Sequence, residues 1–179
     1  MIPKAKDPLL TIARIVLMFF IVILAIAATA LLVALPVMLF NQSALLAELA
    51  ADGKDVVPGL IPAAAFVLVG AAGLLALGIY FLLLLRRIVN SVGEGDPFIP
   101  ENAQRLSRMG WVAIIGQAAA VPVGIAVVWI AGIAADAGED IHADFGFSGS
   151  GILLVLILFI LARVFRHGTE MREELEGTV

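Results

Sequence analysis

The chain has 179 residues, of which 62% are hydrophobic and only 15% are charged, and its formal net charge is −4. About half of the residues of a soluble domain are apolar, so this composition excludes a soluble globular protein and indicates an integral membrane protein. The negative charge gives no basis for direct nucleic-acid binding, which needs a clustered basic face. The absence of cysteine excludes disulfides, thiolate metal sites and cysteine nucleophiles.

Four long apolar runs are predicted to cross the membrane as helices, over residues 12–40, 58–85, 109–135 and 145–165. The first run is too long for the apolar region of a signal peptide, so we expect it to be retained. Between the first two runs, Ser43 is a candidate N-cap for a short surface helix. The predicted fold class is an all-α integral membrane protein, with one four-helix membrane domain over residues 1–179.

The distribution of positive charge predicts the orientation. All of the 11 lysines and arginines except Lys54 lie near the two ends of the chain or in the central loop, residues 86–108. The positive-inside rule then places both termini and the central loop in the cytoplasm, and the two acidic loops outside. We therefore expect a multi-pass protein of a bacterial inner membrane.

The central loop combines a turn with a helix start. Residues 90–96 (NSVGEGD) are typical of a turn, and Pro100 suits the first position of a helix. Glu101 and Arg105 have the i,i+4 spacing of a favourable ion pair on that helix. We therefore expect a short cytoplasmic helix that leads directly into the third span.

The tail, residues 166–179, is predicted to continue the fourth helix beyond the membrane. Arg166 and Glu170 are spaced as an i,i+4 pair, and Met171 begins a narrow apolar edge that needs a cover. The arginines of the loop and the glutamates of the tail favour docking between the two segments, although a second copy of the chain or a soluble protein would also cover the edge. The candidate interaction surface comprises Phe98, Glu101, Asn102, Arg105, Arg108, Arg166, Glu170 and Glu174.

Small residues at four-residue spacing predict close packing between the second and third spans. They are Ala72 and Ala76 in one span, and Gly116, Ala120 and Gly124 in the other. Gln117 lies beside this seam, where both an interhelical hydrogen bond and a functional role would explain it, and we favour the hydrogen bond. A cleft along the seam would suit a lipid or another small apolar molecule.

The loop between the third and fourth spans holds four carboxylates and one imidazole, from Asp136, Glu139, Asp140, His142 and Asp144. Oxygen ligands can hold Ca²⁺ or Mg²⁺, but the spacing of an EF-hand is missing, so we favour a solvated loop and predict no metal site. The sequence has no Gly-x-Ser-x-Gly, His-Glu-x-x-His or phosphate-loop motif. We therefore expect neither an enzyme nor a cofactor.

Two segments carry a family resemblance. In the loop it rests on Pro97, Phe98, Glu101, Asn102, Arg105 and Leu106, and in the tail on Phe165, Gly168, Met171, Glu174, Thr178 and Val179. At these positions the chain resembles the bacterial membrane family called domain of unknown function 2975, although Met171 replaces a usual leucine. The resemblance implies no known activity. It does imply a partner, because relatives often lie beside a small helix-turn-helix regulator.

Three functions are compatible with these features. The first is a non-enzymatic regulatory or sensor membrane protein that binds the helix-turn-helix regulator through its cytoplasmic loop and tail. The alternative is a module that binds or transports a lipid or a small apolar molecule, and the third is a structural role as a homo-oligomer. We favour the first because the distinctive residues lie in the loop and the tail rather than in the spans.

Overall fold

The computed structural model describes residues 8–51, 53, 57–134 and 148–176. These residues form five α-helices and no strand: α1 (Pro8–Phe40), α2 (Gln42–Ala51), α3 (Leu60–Glu94), α4 (Pro100–Ala134) and α5 (Gly149–Glu176). Over this part of the chain the protein is all-α, which confirms the predicted class. The acidic loop predicted at residues 136–144 lies outside the described residues.

Four of the helices are long and apolar enough to cross a membrane, in agreement with the four predicted spans: α1, α3, α4 and α5. The helices α3 and α4 each have 35 residues. At about 1.5 Å per residue each is roughly 52 Å long, which exceeds a hydrocarbon core of about 30 Å. The central loop is therefore mostly helical, because α3 runs on to Glu94 and α4 begins at Pro100. Only residues 95–99, here named the turn, separate them.

The short surface helix predicted between the first two spans is present as α2. It begins one residue after Asn41, whose backbone carbonyl accepts a hydrogen bond from Leu45 N–H at 3.0 Å. Asn41 therefore holds the N-cap position that the sequence assigned to Ser43. The preceding helix α1 passes through Pro36 and ends at Phe40.

The helices pack into two compact units, of which the first comprises the described parts of Met1–Leu24, Leu77–Ile115 and Ser148–Val179. Its core joins α3, α4 and α5, and is formed by Leu84, Ile88, Leu106, Met109, Leu158 and Ala162. The helices α4 and α5 approach closely at Gly110, where an added Cβ would lie 3.0 Å from the ring of Phe159. Phe165, near the end of the fourth span, packs against this core.

The second unit comprises the described parts of Ala25–Ala76 and Gly116–Phe147. Here α3 and α4 meet at Gly70, where an added Cβ would collide with the side chain of Val123. Ala72 is buried in this unit, whereas Ala76 is exposed. This close approach therefore involves a glycine that lies outside the predicted small-residue pattern.

Candidate interaction surface

The conformation of the turn is set at the C-terminal end of α3. Gly95 has a φ of +92°, in the left-handed region that favours glycine. Its N–H donates to the carbonyl oxygen of Val92 at 3.0 Å, and the N–H of Asp96 donates to that of Ser91 at 3.2 Å. These two bonds form a Schellman motif, which ends α3 and starts the turn.

Asn102 connects the two ends of the turn. Its side-chain Nδ2 donates to Ser91 Oγ at 2.7 Å and to the carbonyl oxygen of Pro97 at 2.9 Å. Its Oδ1 accepts a hydrogen bond from Arg105 Nη1 at 2.7 Å. The amide thus uses both donors and its acceptor, as a buried amide requires. With 0% exposure, Asn102 belongs to the interior, so its predicted place on an exposed surface is wrong.

The tail docks on the turn through an aromatic contact and an ion pair. The rings of Phe98 and Phe165 have centroids 5.4 Å apart and are tilted by 42°. The Phe98 ring also covers Gly168, where an added Cβ would lie 2.8 Å from it. Arg172 forms an ion pair with Asp96. The charges are the reverse of those expected, because the loop supplies the carboxylate and the tail supplies the guanidinium.

The other predicted surface residues lie on the outside of the same unit. Arg105 is half-buried, and the exposed members are Glu101, Arg108, Arg166, Glu170 and Glu174. Glu170 Oε2 lies 3.5 Å from His167 Nδ1. The observed partner of Glu170 is therefore His167, whereas the predicted partner was Arg166. Similarly, Arg105 donates to Asn102 rather than to Glu101. The exposed residues give the tail and the start of α4 charges of both signs.

A groove of about 1080 Å³ runs along α5 beside the turn. Phe159, Ile160 and Val164 give it an apolar part. Its polar part is mainly basic and is lined by Arg163, Arg166, His167 and Glu170. This groove was not predicted, although the apolar run of the fourth span ends in the sequence at three basic residues, Arg163, Arg166 and His167. An amphipathic groove of this size can hold an amphipathic ligand.

The predicted packing residues of α4 have different surroundings. Gly124 is buried, and Gly116, Gln117 and Ala120 are half-buried. An added Cβ on Gly116 would meet no atom within 4 Å, so this glycine is not required for close approach. The side chain of Val123 lies against Gly70, so the seam between α3 and α4 is closed at this point. This contact counts against a cleft for an apolar molecule beside Gly70.

Within the ranges that the structure describes, no group of three or more His, Asp or Glu side chains could hold a metal ion. The four carboxylates and the imidazole of the predicted acidic loop lie outside those ranges: Asp136, Glu139, Asp140, His142 and Asp144. A cation site in this loop is therefore a hypothesis that rests on the sequence alone.

The comparison with protein families finds one that covers the turn and the tail. The sequence model of the family described as "Protein of unknown function (DUF2975)" matches residues 47–179. This range is about three quarters of the chain and contains α3, α4 and α5. No curated protein and no solved structure matches the chain significantly. The chain therefore belongs to the DUF2975 family.

Proposed function

We propose that this protein is a non-enzymatic regulatory protein of the bacterial inner membrane, which binds a small helix-turn-helix regulator through the surface formed by the turn and the tail. The observation that carries the proposal is the docking of the tail on the turn by Phe98, Gly168 and the Asp96–Arg172 pair. It gives the chain a folded surface at the polar ends of its apolar helices. A protein partner needs such a surface.

The charge distribution supports a cytoplasmic position for this surface. All eight arginines of the chain lie in the first unit, and those nearest the turn are Arg86, Arg87, Arg105 and Arg108. Positive residues close to membrane spans are retained on the cytoplasmic side. With four spans, both ends of the chain then lie in the cytoplasm together with the turn.

The tail carries acidic side chains that would compete with DNA for the basic face of a regulator. Glu170, Glu173 and Glu174 are exposed near the end of α5, and Met171 beside them is 50% exposed. A helix-turn-helix regulator binds DNA through a basic face that contacts phosphates. The acidic tail would bind the same face, with Met171 as an apolar centre inside a charged rim. In this mechanism the membrane protein holds the regulator away from DNA.

Purified components test the proposal. The regulator encoded beside the gene should be retained by the detergent-solubilised protein and released by a DNA duplex that carries its binding site. The triple variant Glu170→Gln, Glu173→Gln, Glu174→Gln should bind about tenfold more weakly, as expected for three rim charges of about 0.5 kcal/mol each. Glu48→Gln, at an exposed position of α2, is the matched control and should bind as the natural chain does.

Two results would refute regulator binding by the tail. The first is the absence of any complex between the natural protein and the regulator at micromolar concentrations. The second is equal affinity for the triple variant and the Glu48→Gln control, which would show that the acidic tail takes no part.

A further inference from the structure

The groove along α5 changes character along the helix. Its N-terminal part is lined by the apolar side chains of Phe159 and Ile160, and Ile160 is 52% exposed. Further along the helix, Arg163, Arg166 and His167 are exposed, and Val164, which is 54% exposed, lies among them. An apolar face that meets a basic one along a membrane-spanning helix lies at the depth where acyl chains meet phosphate headgroups. A ligand of this groove must therefore be apolar at one end and anionic at the other.

Two cations of the groove are available for an anion. Arg163 and Arg166 have i,i+3 spacing, which places them on one side of α5. Within the part of the chain that the structure describes, the groove's imidazole, His167, faces Glu170, whereas neither Arg163 nor Arg166 forms an ion pair with a described carboxylate. Guanidinium groups bind phosphate oxygens bidentately.

We propose that the groove is a binding site for one anionic phospholipid. Its phosphate contacts the guanidinium groups of Arg163 and Arg166, and one acyl chain lies along Ile160 and Val164. Phe98 and Met171 form the upper rim. A membrane lipid is favoured over a protein because the apolar part of the groove is continuous with the exposed apolar face of a membrane-spanning helix. The groove shares Glu170 and Met171 with the acidic tail, but the two arginines that would bind the phosphate are not among the acidic residues proposed to bind the regulator, so lipid binding does not depend on the regulator.

Native mass spectrometry of the detergent-solubilised full chain tests the site. The protein is titrated with phosphatidylglycerol and, separately, with phosphatidylcholine of the same acyl chains. The double variant Arg163→Gln, Arg166→Gln should lose roughly thirtyfold in phosphatidylglycerol affinity, since each basic residue near an anionic headgroup contributes about fivefold. Arg87→Gln, an exposed arginine on α3 outside the groove, should keep the natural affinity.

Two further measurements separate a specific site from general attraction and from misfolding. Arg163→Lys with Arg166→Lys should regain most of the phosphatidylglycerol binding, and glycerol phosphate without acyl chains should not compete at equal concentration. Equal binding of both lipids by the natural chain would overturn the proposal. Equal losses in the double variant and in Arg87→Gln would also overturn it, and so would displacement of the lipid by glycerol phosphate.

Discussion

At the scale of single residues, Asn102 connects three parts of the surface. Its amide bonds to Ser91 in the last turns of α3, to Pro97 in the turn and to Arg105 in α4. Because the site is buried, water cannot replace a lost partner there, and each polar group left unsatisfied is costly. The geometry of the turn therefore depends on one side chain.

We predict that Asn102→Ala destabilises the protein by about 1–3 kcal/mol, the usual effect of leaving a buried polar group without its partner. The measurement is the thermal unfolding midpoint in detergent. Gln104→Ala is the matched control, because Gln104 is exposed two residues further along the same helix. Unfolding midpoints that are equal for the two variants would show that the hydrogen bonds of Asn102 do not hold the turn.

The sequence contains a partial signal for the burial of Asn102. Asn102, Leu106 and Met109 have the i, i+4, i+7 spacing of one helix face, and all three are buried. A polar residue on such a face is either an interior residue with hydrogen-bond partners or the edge of the stripe. Spacing alone does not distinguish these cases, because the partners Ser91 and Pro97 come from the other side of the turn.

At the scale of helices, α3 and α4 approach closely where Gly70 faces Val123. Valine is β-branched and has one strongly preferred side-chain rotamer in a helix, so it cannot turn away from a new methyl group at position 70. Gly73 lies on the same helix with no atom within 4 Å of an added Cβ. Substitutions at the two glycines therefore form a matched comparison, with Gly70 at the helix contact and Gly73 away from it.

We predict that Gly70→Ala destabilises the protein by about 1–3 kcal/mol through overpacking. Gly73→Ala should be neutral or stabilising, because alanine is the better helix former. Unfolding in mixed detergent micelles measures both variants against the natural chain. If Gly73→Ala were as destabilising as Gly70→Ala, helix propensity or lipid contact rather than the seam would control stability.

The positions of the helices were predictable in part. The four apolar runs predicted the spans because hydropathy alone identifies them, and Pro100 marked the first residue of α4 correctly. The continuation of α3 through Arg86 and Arg87 to Glu94 was missed, since polar residues are equally common in loops and in exposed helix turns. The tight contact at Gly70 was missed because it depends on the opposing Val123, which only the three-dimensional arrangement identifies.

At the scale of the whole molecule, the distribution of the arginines predicts how the chain is oriented in the membrane, and this orientation can be tested. The chain has no cysteine, so a single introduced thiol reports one position without background. We predict that Glu101→Cys, exposed at the start of α4, reacts with a membrane-impermeant maleimide only after the cytoplasmic membrane is opened. Glu48→Cys, exposed on α2, should react in intact spheroplasts. The opposite labelling pattern would place the turn and the tail outside the cytoplasm.

Thiol cross-linking in native membranes tests whether the tail docks on the turn. Asp96→Cys with Arg172→Cys replaces the ion pair but keeps the contact of Phe98 with Gly168. We expect a short bis-maleimide to join these two thiols within one chain. Asp96→Cys with Arg163→Cys should remain unjoined, because Arg163 lies nine residues earlier on α5, about 13 Å along the helix axis. Equal cross-linking of the two pairs, or none in either, would contradict the docked tail.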